Sequence, residues 1–373
     1  MRILSLEYGQ AFKYITEGWK NVFEATGHQW AWLNGDKPAF DAFNEFEPDI
    51  FLGTTYDLDR AVVKCIKQRP NMAVVLKGQN WGPLDKEIKN GGPIPAKTYD
   101  KSYAQTNQER VDNEADTPVG VSDEREQERI CGLREQIDNK MLVYNLYHKN
   151  RMKETMGYWD DHGVETIDMQ PAADHFKHQP ASKIDMLESD ISFIGGYWAY
   201  KGINIDQYLL PLCYPIGKYN IKIFGYHEWP VPQFLGPIQD HIMNNVYCCA
   251  KICPNVSEPH ANEFGFEVNE RVFKLSACKA FCLSDHIDSL VEDIFTDGEM
   301  PTAKSPQEFH EKIDYYLSNP QSRQDHAERC YETVMKNHTY CHRVANLLSR
   351  LDLNEDAGKC LDIVNAGECH ANT

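Results

Sequence analysis

Two stretches of the sequence bring together residues with chemistry to offer. In Phe193-Ile194-Gly195-Gly196-Tyr197-Trp198-Ala199-Tyr200-Lys201-Gly202 an apolar run ends in two glycines, and a lysine follows where a helix should begin. Glycines let backbone amides approach a phosphate, and a helix N-terminus with a lysine adds positive potential. Plain turn chemistry between a strand and a helix gives the same pattern. In Asn269-Glu270-Arg271-Val272-Phe273-Lys274-Leu275-Ser276-Ala277-Cys278 a helix leads towards the short strand around Cys282-Leu283-Ser284-Asp285. Arg271 and Lys274 are three apart and share a helical face. Such a pair suits a diphosphate, and a solvated basic edge has the same spacing.

Metal chemistry has weaker support. The pairs Cys249/Cys253 and Cys278/Cys282 invite a zinc reading, yet no Cys-x-x-Cys accompanies them, and buried core thiols are the favoured alternative. Asp160-Asp161 falls on a predicted helix and reads as a solvated pair. No metal is expected.

The elements that must position these residues follow from patterning. The chain has 373 residues, enough for two or three domains. Its 42% hydrophobic and 25% charged content is that of a globular protein, not a disordered one. The formal net charge of −18 argues against broad attraction to nucleic acid or anionic membrane, leaving room for a local basic groove. No window reaches the ~20 apolar residues of a membrane helix, and Met1-Arg2-Ile3-Leu4-Ser5-Leu6-Glu7 lacks the form of a signal peptide, so a cytoplasmic location is expected.

Residues 3–7, 28–33, 49–53 and 72–76 read as strands; 12–26, 38–46 and 57–68 read as helices, the last capped by Asp57 or Asp59. Strand and helix in alternation, with strands this apolar, predict a parallel sheet covered on both faces. Residues 77–117 are polar and rich in Gly, Pro, Asn and Asp, a lid or a surface insertion. Alternation resumes with strands at 119–122, 141–146 and 164–169, and with helices at 123–137 and through residue 156. A second alternating block opens at Asp190, with a strand to Ile194, a helix at about 203–213 and a strand at 219–224; from Pro306 the chain is largely helical. Two sheets joined by a linker predict a cleft at the carboxyl ends of the strands.

The order and wording of several segments are then specific. DISFIGGYWAYKG from Asp190, IKIFGYHEW from Ile221, QFLGPI from Gln233, AKICPNVSEPH from Ala250, NERVFKLSACKAFCLSD from Asn269 and HTYCHRVANLL from His338 resemble the C-terminal half of GT-B glycosyltransferases. The resemblance is to the spore-maturation (CgeB-like) branch found in bacteria and phages, and covers roughly 160 residues. It implies an α/β, GT-B architecture of two Rossmann-like parallel-sheet domains facing across a cleft. An acceptor-side domain at 1–170, a linker at 171–188 and a nucleotide-sugar domain at 189–335 would follow. A helix at 336–351 would pack back on the first domain, ahead of a flexible tail at 352–373.

The resemblance also implies roles. Gly195, Gly196 and Lys201 would lie at the diphosphate; Tyr197, also on the donor side, would stack on a sugar or base; Gly225, Tyr226 and His227 would border the nucleobase; Asn255, Glu270, Arg271 and Lys274 would line the donor pocket. Relatives often carry Glu where Lys274 stands, which puts the ribose contact in question and favours a phosphate role. They usually carry Gly where Lys279 stands, so a side chain there would narrow the pocket. A nucleotide-sugar, UDP-sugar first, would be the co-substrate. Candidates for the base that activates an acceptor hydroxyl are Glu7, Asp57, Asp123 and His148 at strand ends, each equally suited to capping or solvation. Tyr8, Gln79, Asn80 and Trp81 would meet the acceptor, an unidentified glycan, lipid-linked glycan, protein or hydroxymethylated pyrimidine in DNA. Competing readings are a non-catalytic nucleotide-sugar-binding module and a sugar-nucleotide epimerase of the same fold.

Overall fold

The computed structural model describes residues 1–55, 58–78, 138–152 and 163–371. They form two compact units, one drawing on residues up to 171 and from 340 onward, the other on Ala172–Thr339. The expected strand at 119–122, the helix at 123–137 and most of the 77–117 segment lie outside the described residues.

The first unit opens with β1 (Arg2–Leu6), α1 (Gln10–Ala25), β2 (Gln29–Leu33), α2 (Ala39–Phe46), β3 (Ile50–Thr54), α3 (Arg60–Lys67), β4 (Ala73–Lys77), β5 (Met141–Asn145) and β6 (Glu165–Asp168). All pairings are parallel, in the order β2-β1-β3-β4-β5-β6. Every residue of β3 is buried, which is why its sequence shows no alternation. In α1 the apolar residues Ile15, Trp19, Val22 and Phe23 recur at helical spacing and are buried. Asp59 caps α3, accepting the Val62 amide at 2.7 Å. The helix expected through residue 156 begins, among the described residues, as a 3-10 turn at Lys149–Arg151.

The second unit contains β7 (Ser189–Ile194), α4 (Ala199–Tyr208), β8 (Ile221–Phe224), α5 (Asp240–Cys249), β9 (Ala250–Asn255), α6 (Pro259–Phe264), α7 (Glu270–Ala277), β10 (Cys282–Asp285), β11 (Thr302–Ala303), α8 (Pro306–Ser318) and α9 (Pro320–Asn337). Its parallel sheet has the order β11-β10-β9-β7-β8. The order reverses between β7 and β9. Open parallel sheets bind ligands at the carboxyl ends of strands at such a switch point. The helix expected at 203–213 instead begins at Ala199 and ends at Tyr208, and Leu210–Cys213 form a 3-10 turn. Pro211 has no amide hydrogen to continue the helical ladder. Lys201 therefore stands in the first turn of α4.

The chain then returns to the first unit as α10 (Tyr340–Arg350) and α11 (Asn354–Ala371). Arg343 Nε donates to Gln170 O at 3.0 Å, and Asn346 Nδ2 to Asp168 Oδ1 at 3.1 Å, fixing α10 beside β6. Residues 354–371, expected as a frayed tail, are helical. Ala357, Cys360 and Val364 recur at helical spacing and are buried, and this narrow stripe packs α11 in place.

Candidate functional site

The Gly195 turn lies at the switch point. Gly195 N donates to Phe224 O at 2.8 Å, carrying the β7–β8 pairing one residue further. Its carbonyl accepts Trp229 Nε1 at 3.0 Å. Space around it is so short that a Cβ on Gly195 would lie 2.7 Å from Arg271 Nη2, and one on Gly225 2.3 Å from Gly195 O. The glycines are required by close approach; neither has a positive φ. A Cβ on Gly196 would meet His227 Cδ2 at 2.8 Å.

Arg271 reaches from α7 to this turn. Its guanidinium lies 4.3 Å from the Phe193 ring centroid, Nη2 donates to Ile194 O at 3.1 Å, and Nη1 donates to Asn255 Oδ1 at 3.2 Å. Asn255 is buried at the end of β9 and donates to Ser284 Oγ at 2.9 Å. Asn269 Nδ2 donates to Asn255 Oδ1 at 3.3 Å and to Ser257 Oγ at 3.1 Å.

Lys201 is only 7% exposed. Its Nζ sits 5.0 Å from the Trp198 ring centroid and 5.8 Å from that of Phe193, and makes no hydrogen bond or ion pair among the described residues. Burial first, then the neighbouring Arg271 charge, lowers its pKa to about 7, against the opposing pull of Glu258 and Asp285. Asp285, wholly buried at the end of β10, accepts from Ser257 N at 2.8 Å, Ser257 Oγ at 3.0 Å, Asn262 Nδ2 at 2.9 Å and Ser284 Oγ at 3.2 Å. Burial raises its pKa and these donors oppose the rise. Asn204 Nδ2 donates to Ser257 O at 2.9 Å and to Asn262 Oδ1 at 2.7 Å, tying α4 to the same loop. Sequence reading missed Asp285, Ser257 and Glu258; an acid closing the apolar strand CLSD was the available signal.

The other expected donor residues spread around this cluster. Tyr197 OH donates to Asp206 Oδ1 at 2.9 Å and its ring packs 5.5 Å from Trp229. Tyr226 is 77% exposed beyond β8, and His227 packs edge-on to Trp198 at 5.9 Å. Arg271 and Lys274 turn to different partners: Arg271 donates to Ile194 O and Asn255, and Lys274 Nζ is bound to Glu270 Oε2 at 2.8 Å, one turn back on α7. Lys279 does not narrow the site, because its Nζ reaches Glu328 Oε1 at 2.7 Å and lies 4.3 Å from the Tyr331 centroid.

In the first unit Glu7 is exposed after β1, with its amide donating to Leu33 O at 3.1 Å, and Tyr8 packs edge-on to Phe12 at 4.8 Å. His148 is buried and caps the 3-10 turn, its Nδ1 accepting the Asn150 amide at 3.3 Å. Asp57, Gln79, Asn80, Trp81, Asp123 and the Asp160-Asp161 pair lie outside the described residues. Asp57-Leu58-Asp59 follows β3 in the sequence, and its Asp59 is the α3 cap. Among the described residues no cluster of three or more His, Cys, Asp or Glu is arranged to hold a metal, and no helix is long and apolar enough to cross a membrane. Cys249, Cys253, Cys278 and Cys282 are buried.

Residues 210–349 match the family model described as glycosyl transferase-like. No curated protein sequence matches the chain. Among solved structures, sucrose-phosphate synthase from Thermosynechococcus elongatus is similar with a TM-score of 0.61 at 11% identity, over 94% of this chain and 99% of that one. Anabaena HepE in complex with UDP and glucose gives 0.56 at 10% identity, over 94% and 99%. The DNA-modifying enzyme β-glucosyltransferase, crystallised with and without uridine diphosphoglucose, gives 0.53 at 12% identity, over 96% and 100%. Similarity at these identities speaks for the fold. The chain has the GT-B fold, two Rossmann-like parallel-sheet units, and carries a glycosyl transferase-like domain in residues 210–349.

Proposed function

We propose that this chain is a UDP-sugar-dependent glycosyltransferase of the CgeB-like type, with its donor diphosphate at the Gly195 turn. One observation carries the reading: Lys201 is a buried lysine that makes no hydrogen bond or ion pair among the described residues, in the first turn of a helix at the switch point. A desolvated ammonium is costly unless an anion meets it. The turn amides, the α4 N-terminus, Lys201 and Arg271 together suit a diphosphate.

Transfer breaks the bond between the sugar's anomeric carbon and the diphosphate oxygen, and negative charge grows on the leaving group. Lys201 and Arg271 would stabilise that charge. Trp198, Tyr226 and His227 offer aromatic surface to the base. Asn255 and the Glu270–Lys274 pair line the remaining pocket. That HepE and β-glucosyltransferase were crystallised with UDP or a UDP-sugar supports UDP as the nucleotide. The acceptor hydroxyl belongs to a saccharide, lipid-linked glycan or protein, and the base is drawn from Glu7, His148, Asp57 and Asp123. The likeness to a DNA-modifying enzyme gives a second reading, a hydroxymethylated base in DNA, which the net charge of −18 disfavours.

A thermal-shift screen of wild type and Lys201→Ala against UDP, GDP, CMP and TDP and their sugars tests the donor site. Stabilisation by the uridine set, lost in the variant, is expected. Equal stabilisation of both proteins, or of neither by any nucleotide, removes the assignment. Incubation of a labelled donor with glycans and with hydroxymethylated DNA then separates the two acceptor readings.

A further inference from the structure

Among the described residues of the second unit two lysines, Lys201 and Lys274, are buried, and they differ in one respect. Lys274 is ion-paired with Glu270 at 2.8 Å. Lys201 has aromatic rings beside it and no acceptor among the described residues. The charged groups facing Lys201 come from three elements: Arg271 from α7, Glu258 from the loop before α6, and Asp285 at the end of β10. Arg271 repels the ammonium. Asp285 is already satisfied by Ser257, Ser284 and Asn262. Glu258 is itself held towards its neutral form by burial.

We propose that Lys201 takes up a proton when the donor binds, so that capture of the nucleotide-sugar diphosphate and protonation of Nζ are one linked event. This rests on the donor reading above. In the empty site burial and the Arg271 charge outweigh the rings, Glu258 and Asp285, and lower the lysine's pKa to about 7. A diphosphate beside Nζ reverses the balance, because an adjacent anion favours the ammonium. The proton comes from the buffer and ends on Nζ; no bond of the donor changes. The sign follows: above about pH 7 the empty site must gain a proton to bind, so affinity falls as pH rises, by up to about ten-fold per pH unit. Below that range the lysine is already charged and affinity is flat.

UDP-glucose is the suitable probe, since its esterified diphosphate has no proton to exchange near neutrality, unlike the terminal phosphate of UDP with its pKa near 6. Titration calorimetry in pairs of phosphate-free buffers of different ionisation enthalpy, each pair chosen to buffer at the pH used, counts the protons taken up. Close to one proton per UDP-glucose is expected at about pH 8 and close to none at about pH 6. Lys201→Arg, which is always charged, should bind with no proton uptake, and Lys201→Met should bind more weakly with none. Glu258→Gln should keep the uptake. A proton count near zero at both pH values in wild type overturns the proposal and leaves the donor reading standing. Uptake surviving in Lys201→Arg or Lys201→Met, or lost in Glu258→Gln, also overturns it. No binding of UDP-glucose at either pH brings down the UDP-donor reading on which it rests.

Discussion

Gly225 stands against the carbonyl of Gly195, so that a Cβ at 225 would lie 2.3 Å from that oxygen. Backbone at this distance cannot step aside as a side-chain tip would. Gly225→Ala must push the Gly195 turn away from β8. Overpacking of this kind costs about 1–3 kcal/mol. Nucleotide-sugar affinity is expected to fall by roughly ten-fold or more, with a lowered melting temperature. Calorimetric titration beside a thermal scan checks both, and unaltered affinity would mean that the turn is not the diphosphate cradle.

Lys279 has a φ of +52°, just past the end of α7. A left-handed side-chain-bearing residue costs roughly 1–2 kcal/mol, and glycine at this position after a helix does not. Its exposed bridge to Glu328 is worth at most about 1 kcal/mol. Part of the gain is returned through the freer unfolded chain. Lys279→Gly should therefore be neutral to about 1 kcal/mol stabilising by urea titration. Nucleotide affinity should stay unchanged, because the side chain points to Glu328 and Tyr331.

His178 is buried and its pKa is lowered to about 3, first by desolvation and next by the nearby Lys274 charge. A folded pKa below the unfolded value near 6.5 means that the unfolded chain binds the proton more tightly. Stability from this group is present above about pH 6.5 and drains as pH falls towards 3. By about pH 5 the loss is roughly 2 kcal/mol. His178→Gln keeps a polar group for Asn244, the present partner at 3.1 Å. Its unfolding free energy should vary less between about pH 7 and pH 5 than that of wild type, by roughly that amount.

Two helical glycines should respond in opposite ways to alanine. A Cβ on Gly18 would lie 2.2 Å from Cδ2 of the buried Tyr340, where α10 crosses α1. On Gly358 of α11 it would meet nothing within 4 Å. Alanine gains about 1 kcal/mol of helix propensity over glycine at either site. Gly358→Ala should gain most of that. Gly18→Ala should lose about 1–3 kcal/mol through overpacking. Equal effects in chemical denaturation would contradict this account of α10 packing.

Local pattern made the elements legible. The unbroken apolar run of β3 and the Ile15, Trp19, Val22, Phe23 spacing of α1 each carry their own periodicity. The Gly195-Gly196 turn and Lys201 were readable for the same reason, since turn, helix start and cation are neighbours in sequence. What was not legible is held by distance along the chain. Trp229 meets the Gly195 carbonyl across 34 positions and Arg271 meets Ile194 O across 77. Lys274 has Arg271 at i−3 and Glu270 at i−4, two spacings that share a helical face, and the structure takes the opposite charge, Glu270. The helix α11 hid because only a thin stripe of a polar segment is buried.

Ala173 and Thr339 are paired in an isolated bridge, with Ala173 N donating to His338 O at 2.8 Å. The second unit is thus a loop whose two ends meet, set into the first. During synthesis the order of completion runs against the order of the units. The strands of the first sheet leave the ribosome early but wait for α10 and α11, which follow the whole inserted unit. Until then the groove at Gly18 and the flank of β6 are uncovered apolar surface on a nascent chain, the kind of surface that chaperones recognise. A premature stop just after residue 339 would leave the second unit closed and its companion open.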